Sequence, residues 1–275
     1  MIDLHLHTNA SDGRLPPGEL VDLAATSGLR VMAVTDHDTT AAVADVQASA
    51  RARGIEAITG IEITAVLDGR DVHMLAYFVD IDDAAFQRFL ASQRAARVAR
   101  LEAIGERLAE LGVPVQLEAA LALGRLRSGV SVGRPQAARA LVAAGHVKDL
   151  REAFERWLGH DRPGFVPRVG PPPVDVIPIV HAAQGLISIA HPGRTQIDEQ
   201  LPALRDAGLD AIEVYHSDHD EAATARYAAL ARELDLLVTG GSDFHADPAR
   251  AIVPGSATLP ADDWARLRDR AARHA

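Results

Sequence analysis

Short apolar segments alternate with amphipathic helical patterns at the start of the chain, and this alternation sets the expected fold class. Strands are predicted at 2–7, 31–35, 55–58 and 72–78, and the first three are separated by helices at 17–27 and 39–53. Gly28 and Gly54 follow these two helices, where a left-handed cap is common. The pattern is typical of βαβ units, which build a parallel sheet.

The alternation stops near residue 82 and resumes near residue 186. Helical patterns fill the interval, at 86–111, 117–123, 135–144 and 149–158. A proline-rich segment, 163–173, leads back to strands at 186–190, 211–215 and 236–239, followed by a closing helix at 262–273. We therefore predict an α/β fold, a (β/α) barrel with about seven strands, either the usual eight units or one fewer. The barrel would comprise 1–85 and 163–275, and an all-helical insertion at 86–162 would cap the substrate pocket.

The composition limits the partners and the location of the protein. No basic segment followed by an apolar run opens the chain, and no stretch reaches about 18 uninterrupted apolar residues. We therefore expect a cytoplasmic protein without membrane contact. The net charge of −10 argues against binding of extended duplex nucleic acid. A small phosphorylated ligand remains compatible with it, and no protein partner is inferred.

The first predicted strand carries two imidazoles on one face. Because side chains alternate along a strand, Asp3, His5 and His7 share a side. A polar row of this kind is costly to bury without partners, and a metal ion is a common partner for two close imidazoles. The chain has no cysteine, so any metal must bind nitrogen and oxygen ligands.

Metal-capable side chains also accompany the other predicted strands. In barrels, functional groups collect at the C-terminal ends of the strands. The candidates near those ends are His5, His7, Asp12, Asp36, His37, Asp38, Glu62, His73, His191, Glu213, His216, Asp243 and His245. Each has an ordinary explanation when taken singly, since a lone histidine is often hydrogen-bonded in a core and an aspartate often caps the next helix. Their convergence on one end of one barrel predicts a multinuclear metal site.

Five segments resemble the motifs of the PHP (polymerase and histidinol phosphatase) family. They are Asp3-Leu-His-Leu-His-Thr8, Thr35-Asp-His-Asp38, Gly60-Ile-Glu62, Ala190-His-Pro192 and Gly241-Ser-Asp-Phe-His245. They extend over nearly the whole chain in the order that the family shows. The resemblance implies a distorted (β/α)7 TIM-like barrel with a trinuclear metal centre that hydrolyses phosphoesters.

The resemblance also implies a ligand set for three divalent ions. One ion would be held by His5, His7, Glu62 and Asp243. Glu62 would bridge to a second ion, which His73 and His191 also bind. The third would be held by Asp12, His37 and His245, which would also face the substrate. Such ligands suit Mn²⁺, Zn²⁺, Fe²⁺ or Mg²⁺, and among these we expect Mn²⁺.

The expected reaction is attack on phosphorus by a hydroxide that bridges two metals. Asp36 and His216 are the candidate proton donors for the leaving group. Two arginines are better placed than the others to bind phosphate. Arg134 opens a helix in Gly133-Arg-Pro135, and Arg194 follows the predicted ligand His191 by three residues. Solvated surface remains the ordinary alternative for both arginines.

The substrate is inferred from the resemblance alone. The short chain and the insertion that carries Arg134 look most like the stand-alone 3',5'-nucleoside bisphosphate phosphatases, which would convert adenosine 3',5'-bisphosphate to AMP. A 5'-3' exonuclease on short 5'-phosphorylated RNA, a histidinol-phosphate phosphatase and a degenerate PHP module with a structural role stay open. Metal-dependent amide hydrolysis is disfavoured, because related barrels use a carboxylated lysine and the only lysine here, Lys148, lies in the insertion.

Overall fold

Seven strands form one sheet in a computed structural model of the chain, which describes residues 1–126 and 129–274. In chain order they are β1 (Ile2–Leu6), β2 (Val31–Val34), β3 (Glu56–Leu67), β4 (Arg70–Tyr77), β5 (Leu186–Ile189), β6 (Ala211–His216) and β7 (Leu237–Gly241). The segment after β7 returns to β1, where the amide of His7 donates to the carbonyl of Phe244 at 3.0 Å. The sheet therefore nearly closes into a barrel, and the predicted fold class is confirmed.

Helices surround the sheet and fill the interval between β4 and β5. Two lie between the first strands, α1 (Pro17–Thr26) and α2 (Val43–Arg51). Four follow β4: α3 (Ala84–Glu110), α4 (Glu118–Arg125), α5 (Arg134–Ala143) and α6 (Leu150–Ala153), which continues as a π-helical turn, Phe154–Leu158. The last five are α7 (Pro173–Ala182), α8 (Pro192–Thr195), α9 (Leu201–Asp206), α10 (Glu221–Glu233) and α11 (Ala261–His274). None of the described helices is long and apolar enough to cross a bilayer.

The segment between β4 and β5 has a hydrophobic core of its own. Its longest helix, α3, is preceded by Asp83, whose side chain accepts from the amide of Phe86 at 2.6 Å and caps the helix. Leu101, Leu108 and Leu141 are fully buried where α3 packs against α4 and α5. No strand occurs between β4 and β5 in the part of the chain that the structure describes. The proposed boundaries of the insertion at 86 and 162 stay a prediction.

The β3–β4 hairpin departs from the predicted parallel pattern. β3 pairs antiparallel with β4, and β4 antiparallel with β5, whereas the other strand pairs are parallel. The predicted end of β3 at 58 is wrong, since the strand extends to Leu67. Asp68 and Gly69 form the turn with φ of 49° and 75°, as in the type I′ turn that suits hairpins.

The hairpin changes where two predicted ligands lie along their strands. Glu62 lies inside β3 rather than in a loop after it, and His73 lies in the first half of β4, next to its register partner Thr64. Because β4 runs in the opposite direction, its beginning reaches the barrel end where the parallel strands finish. The expectation that functional groups collect at the C-terminal ends of strands therefore does not describe this hairpin, where Glu62 lies within β3 and His73 near the start of β4.

Candidate active site

Glu62 stands at the centre of the predicted metal ligands. Its Oε2 lies within 3.3 Å of ring nitrogens of His5, His7 and His37. Its Oε1 lies within 3.1 Å of ring nitrogens of His73 and His191. Donor atoms that share one ion at about 2.1 Å stand roughly 3 Å apart. The spacing around Glu62 is therefore compatible with metal coordination by its carboxylate and the neighbouring imidazoles.

The other two predicted carboxylate ligands complete the ligand cluster, by which we mean His5, His7, Asp12, His37, Glu62, His73, His191, Asp243 and His245. Asp243 Oδ1 lies 3.3 Å from Nε2 of both His5 and His7. Asp12 approaches Nε2 of His245 at 3.1 Å and Nε2 of His37 at 3.4 Å. The structure thus brings all nine predicted ligands together at one end of the barrel.

Some side chains form sets in which one possible ligand atom of each residue lies within 4.8 Å of those of the others. These sets agree only in part with the predicted division of the residues among three ions. The set His5, His7, Glu62 and Asp243 recurs unchanged. A second group adds His7 to the predicted set of Asp12, His37 and His245. A third joins Glu62 and His73 to His37, while the predicted partner His191 reaches the same carboxylate oxygen as His73.

Several buried imidazole nitrogens have no hydrogen-bond partner in the part of the chain that the structure describes, and this observation bears on whether these residues fit divalent ions. Both ring nitrogens of His7, Nδ1 of His37 and Nδ1 of His191 are buried and lack a hydrogen-bond partner among the described residues. A buried polar atom without a partner costs about 1–3 kcal/mol. A coordinated ion supplies such a partner for nitrogens that face the cluster, and imidazole with carboxylate suits ions of intermediate hardness. The residues present therefore fit divalent metal ions.

Protonated imidazoles balance the buried carboxylates when no ion is bound. Burial lowers the pKa of His7, but the adjacent carboxylates of Asp243 and Glu62 outweigh it and raise that pKa to about 10. Burial raises the pKa of Glu62, but His37, His73 and His5 hold it well below its usual range. The carboxylates thus favour a protonated His7 in the metal-free cluster, whereas burial lowers the pKa of His37 and lowers that of His191 to about 4.

Glu213 supports the cluster from behind. This fully buried residue of β6 has one oxygen 2.9 Å from His5 Nδ1, and its other oxygen accepts from the backbone amide of His191 at 2.7 Å. Such contacts orient His5 so that its Nε2 faces the ligands. The sequence places Glu213 among the candidates at strand ends without indicating this role, and its acidic side chain in an otherwise apolar strand is the available signal.

The two predicted proton donors lie in different surroundings. His216 Nδ1 accepts from the amide of Asp218 at 3.0 Å, so Nε2 carries the proton of the neutral ring and lies 3.5 Å from Asp243 Oδ2. Asp36 instead accepts from the amide and hydroxyl of Thr8 and from the hydroxyl of Ser11, at 2.5–2.8 Å. These contacts hold the loop that carries Asp12, and the role of Asp36 as a proton donor stays a prediction.

Four arginines converge on two carboxylates beside the ligand cluster, and we call Arg97, Arg100, Arg134 and Arg168 the arginine cluster. Asp38 lies 2.5 Å from Arg97 Nε and 3.0 Å from Arg168 Nη2. Asp71 lies 2.8 Å from Arg100 Nη1 and 3.0 Å from Arg134 Nη2. Four guanidinium groups therefore share two carboxylates and leave an excess of positive charge.

Some hydrogen-bond donors of the arginine cluster have no acceptor among the described residues. Arg100 Nη2 and Arg168 Nε are buried without a partner among the described residues. Burial, helped by the neighbouring guanidinium groups, lowers the pKa of Arg134 to about 10 although Asp71 opposes this shift. An anion would satisfy the free donors and relieve the crowding of like charges. The sequence singled out only Arg134, although Arg97 and Arg100 share a face of α3 by their spacing.

One cavity of about 590 Å³ joins the ligand cluster to the arginine cluster. One of its walls is apolar and comes from the segment between β4 and β5, with Leu101, Ile104, Val132, Leu150 and Phe154. The Arg134 guanidinium lies 5.9 Å from the centre of the Phe154 ring. The cavity therefore offers a single bound molecule three kinds of surface: the carboxylates and imidazoles of the ligand cluster, the cationic donors of the arginine cluster, and an apolar wall.

The predicted arginine Arg194 lies apart from the arginine cluster but lines the same cavity. Its Nη1 is 3.2 Å from Asp243 Oδ2, and half of its side chain is exposed. It therefore stands next to the ligand cluster, on the side of β5 to β7.

The helices after β4 also hold the loop that carries Asp12. The amide of Ser131 donates to the carbonyl of Ala10 at 2.8 Å, and Gln136 Nε2 donates to the carbonyl of Ser11 at 3.1 Å. Arg139 donates to the carbonyl of Asp12. These contacts connect α5 directly to a predicted metal ligand.

A comparison with protein families matches the PHP domain to residues 3–158, more than half of the 275-residue chain. The chain belongs to the PHP domain family. The matched residues include the first four strands and the helices that follow them. The predicted family is therefore confirmed.

Relatives of this PHP chain act on phosphoesters. A 5'-3' exoribonuclease of Haemophilus influenzae is 35% identical over 248 residues, which cover 88% of this chain and 89% of the relative. A 3',5'-nucleoside bisphosphate phosphatase of Chromobacterium violaceum is 33% identical over 250 residues, covering 89% and 87%. A solved protein of Bifidobacterium adolescentis, described as a metal-dependent phosphoesterase, superposes with a TM-score of 0.88 at 34% identity and covers 98% and 96%. The comparisons support a metal-dependent phosphoesterase of the PHP family.

Proposed function

We propose that this PHP chain removes the 3'-phosphate from nucleoside 3',5'-bisphosphates and so converts adenosine 3',5'-bisphosphate to AMP. The observation that carries the proposal is the single cavity shared by the ligand cluster and the arginine cluster. A substrate with two phosphate groups can use both clusters at once.

In this arrangement the two phosphates have separate partners. The arginine cluster binds the 5'-phosphate through the free donors of Arg100 and Arg168, together with Arg134. The 3'-phosphoryl group lies at the ligand cluster, facing Asp12, His37 and His245. The apolar wall, with Phe154 at the cavity, takes the base.

The ligand cluster would hold three divalent ions, most suitably Mn²⁺. When bound, such ions lower the pKa of water and offset the negative charge of a phosphoryl group. Arg194 adds a guanidinium beside Asp243 that orients phosphoryl oxygens. His216 holds a proton on Nε2 and donates it to the O3' leaving group.

Histidinol phosphate fits the cavity less well. It carries one phosphate and an ammonium group, so with its phosphate at the ligand cluster it would place a cation near the arginine cluster. The guanidinium groups there already lower the pKa of Arg134. A purely structural role is also disfavoured, because all nine predicted ligands converge with unpartnered nitrogens among them.

The test offers manganese-reconstituted protein three substrates and compares kcat/KM. These are adenosine 3',5'-bisphosphate, adenosine 3'-monophosphate and histidinol phosphate. We expect the bisphosphate to exceed each of the others by about 100-fold or more, which corresponds to roughly 3 kcal/mol from the second phosphate. Chromatography should identify AMP as the product. Equal rates with histidinol phosphate, or adenosine 3'-monophosphate as the product of the bisphosphate, would overturn the proposal.

A further inference from the structure

The cavity continues beyond the ligand cluster to a second charged group, which we call the open rim: Arg14, Arg194, Asp218, Asp247 and Arg250. These residues follow β1, β5, β6 and β7. The carboxylates that hold the arginine cluster lie instead after β2 and in β4. Because the strands follow one another around the barrel in chain order, the two cationic groups lie on different sides of the ligand cluster.

The two sides differ in their exposure to solvent. The side chains of Arg14, Arg194 and Arg250 are 41%, 50% and 33% exposed. Those of Arg97 and Arg168 are only 10% and 2% exposed. A substrate that is longer than one nucleotide can therefore extend towards the open rim.

The shorter ion pairs of Arg14 and Arg250 are with partly exposed carboxylates of the rim, and Arg250 Nη1 also lies 3.9 Å from Oδ2 of the buried Asp243. Arg250 Nη2 lies 2.6 Å from Asp218 Oδ1, and Arg14 Nη2 lies 3.6 Å from Asp247 Oδ1. Exposed pairs of this kind contribute about 0–1 kcal/mol. Both guanidinium groups can therefore turn to a phosphodiester at little cost, and bidentate contact with phosphate suits arginine.

We propose that Arg14 and Arg250 form a subsite for the backbone phosphate of a single-stranded oligonucleotide and thereby set how well such chains are used relative to a bisphosphate. The inference rests on the proposed function, since the terminal 5'-phosphate occupies the arginine cluster. The first internucleotide phosphate then lies at the ligand cluster, and the following phosphate reaches the open rim.

The same bond breaks in a bisphosphate and in an oligonucleotide. The oxygen of water forms a new bond to phosphorus, the P–O3' bond breaks, and O3' receives one proton while the other proton of water goes to solvent. The first nucleotide leaves with its 5'-phosphate. The attacked phosphoryl group becomes the 5'-phosphate of the shortened chain, which is again a substrate for the same cavity.

The experiment measures the ratio of kcat/KM for a 5'-phosphorylated adenosine trimer to that for adenosine 3',5'-bisphosphate. Ribose and deoxyribose trimers identify which sugar is accepted. The variants are Arg14→Gln and Arg250→Gln, with Arg51→Gln as the control because this exposed arginine of α2 does not line the cavity. Metal-free protein is also titrated with a fluorescein-labelled trimer, and binding is followed by anisotropy.

We expect the trimer-to-bisphosphate ratio to fall about tenfold in each rim variant and to stay unchanged in Arg51→Gln; tenfold corresponds to 1.4 kcal/mol. Trimer binding to metal-free protein should weaken in parallel, with a shallower dependence on salt. The same ratio in rim and control variants overturns the inference. Wild-type protein that hydrolyses the bisphosphate but neither trimer also overturns it and leaves the proposed function intact. Cleavage of a trimer without phosphate release from the bisphosphate overturns the proposed function instead.

Discussion

Glu62 shows how much of this site depends on single residues. It is almost completely buried and contacts five histidines through two oxygens. A carboxylate in such a place is tolerated only because cations surround it. Removing any one of those partners therefore changes the charge balance of the whole ligand cluster.

Asp243→Ala should empty a metal position, since Asp243 approaches both His5 and His7. We expect phosphate release to fall by more than about 100-fold, because even partners behind a metal ligand are worth 10–100-fold. Metal content by mass spectrometry should fall with it. The control is Asp45→Ala, an exposed residue of α2. Wild-type metal content together with wild-type turnover in Asp243→Ala would contradict the assignment.

Arg134→Ala should weaken substrate binding and leave the metal content unchanged. The loss of one guanidinium from the 5'-phosphate site should raise KM for the bisphosphate by about tenfold or more. KM for adenosine 3'-monophosphate should change little, since that substrate lacks the 5'-phosphate. Arg125→Ala, which removes an exposed arginine paired with Glu102, is the control. If both variants had the same KM for the bisphosphate, Arg134 would have only a structural role.

The convergence of the residues of the ligand cluster could be predicted from the sequence, whereas most of the arginine cluster could not. The ligands lie on or directly after strands, so a local pattern shows that they share one barrel end. Arg97 and Arg168 come from a helix and a proline-rich linker, 71 positions apart in the chain. Only tertiary packing brings them to Asp38, and no local pattern encodes that contact.

Among the elements, the β3–β4 hairpin deviates most from the predicted pattern. The sequence does contain its signal, because an Asp-Gly pair between apolar alternations is typical of a two-residue hairpin turn. Ile61, Ile63 and Ala65 are buried on one side of β3, while Glu62 on the other side faces the ligands. The element therefore supplies barrel core and site at the same time.

Gly69→Ala should destabilise this hairpin. Gly69 has a φ of 75°, where nothing lies within 4 Å of an added Cβ, so the cost is conformational. A left-handed conformation costs a residue with a Cβ about 1–2 kcal/mol. Urea denaturation should show the free energy of unfolding lowered by about 1 kcal/mol.

Gly18→Ala is the matched control for that measurement. Gly18 lies in α1, and an added Cβ there meets nothing nearer than Ser49 Oγ at 4.0 Å. Alanine is favoured over glycine in helices, so stability should stay the same or rise. Equal free energies of unfolding for the two variants would show that the turn does not need its left-handed glycine.

At the scale of the whole molecule, charged groups unite the barrel with the helices that follow β4. Asp38 and Asp71 belong to the barrel, and their partners Arg97 and Arg100 belong to α3. The ligand cluster lies beneath this junction. Binding of metal ions to the ligand cluster should therefore stabilise the entire chain rather than one loop.

Manganese added to chelator-treated protein should raise Tm. An ion at 100 times its Kd adds about 3 kcal/mol per site when it binds only the folded state. Since 1 kcal/mol shifts Tm by about 2–4 °C in chains of about this size, we expect a rise of more than about 5 °C. Calorimetry measures it, and Asp243→Ala should show a smaller rise. An unchanged Tm in the wild-type protein would argue against the metal site.

The contacts between α5 and the Asp12 loop limit the exchange of helical segments between this barrel and those of its relatives. Three successive carbonyls, from Ala10 to Asp12, accept from donors of the helical segment. A foreign helical segment grafted onto this barrel would leave those carbonyls unpaired unless it reproduced the three donors. Exchange of specificity between relatives therefore requires that this segment and the Asp12 loop be transferred together.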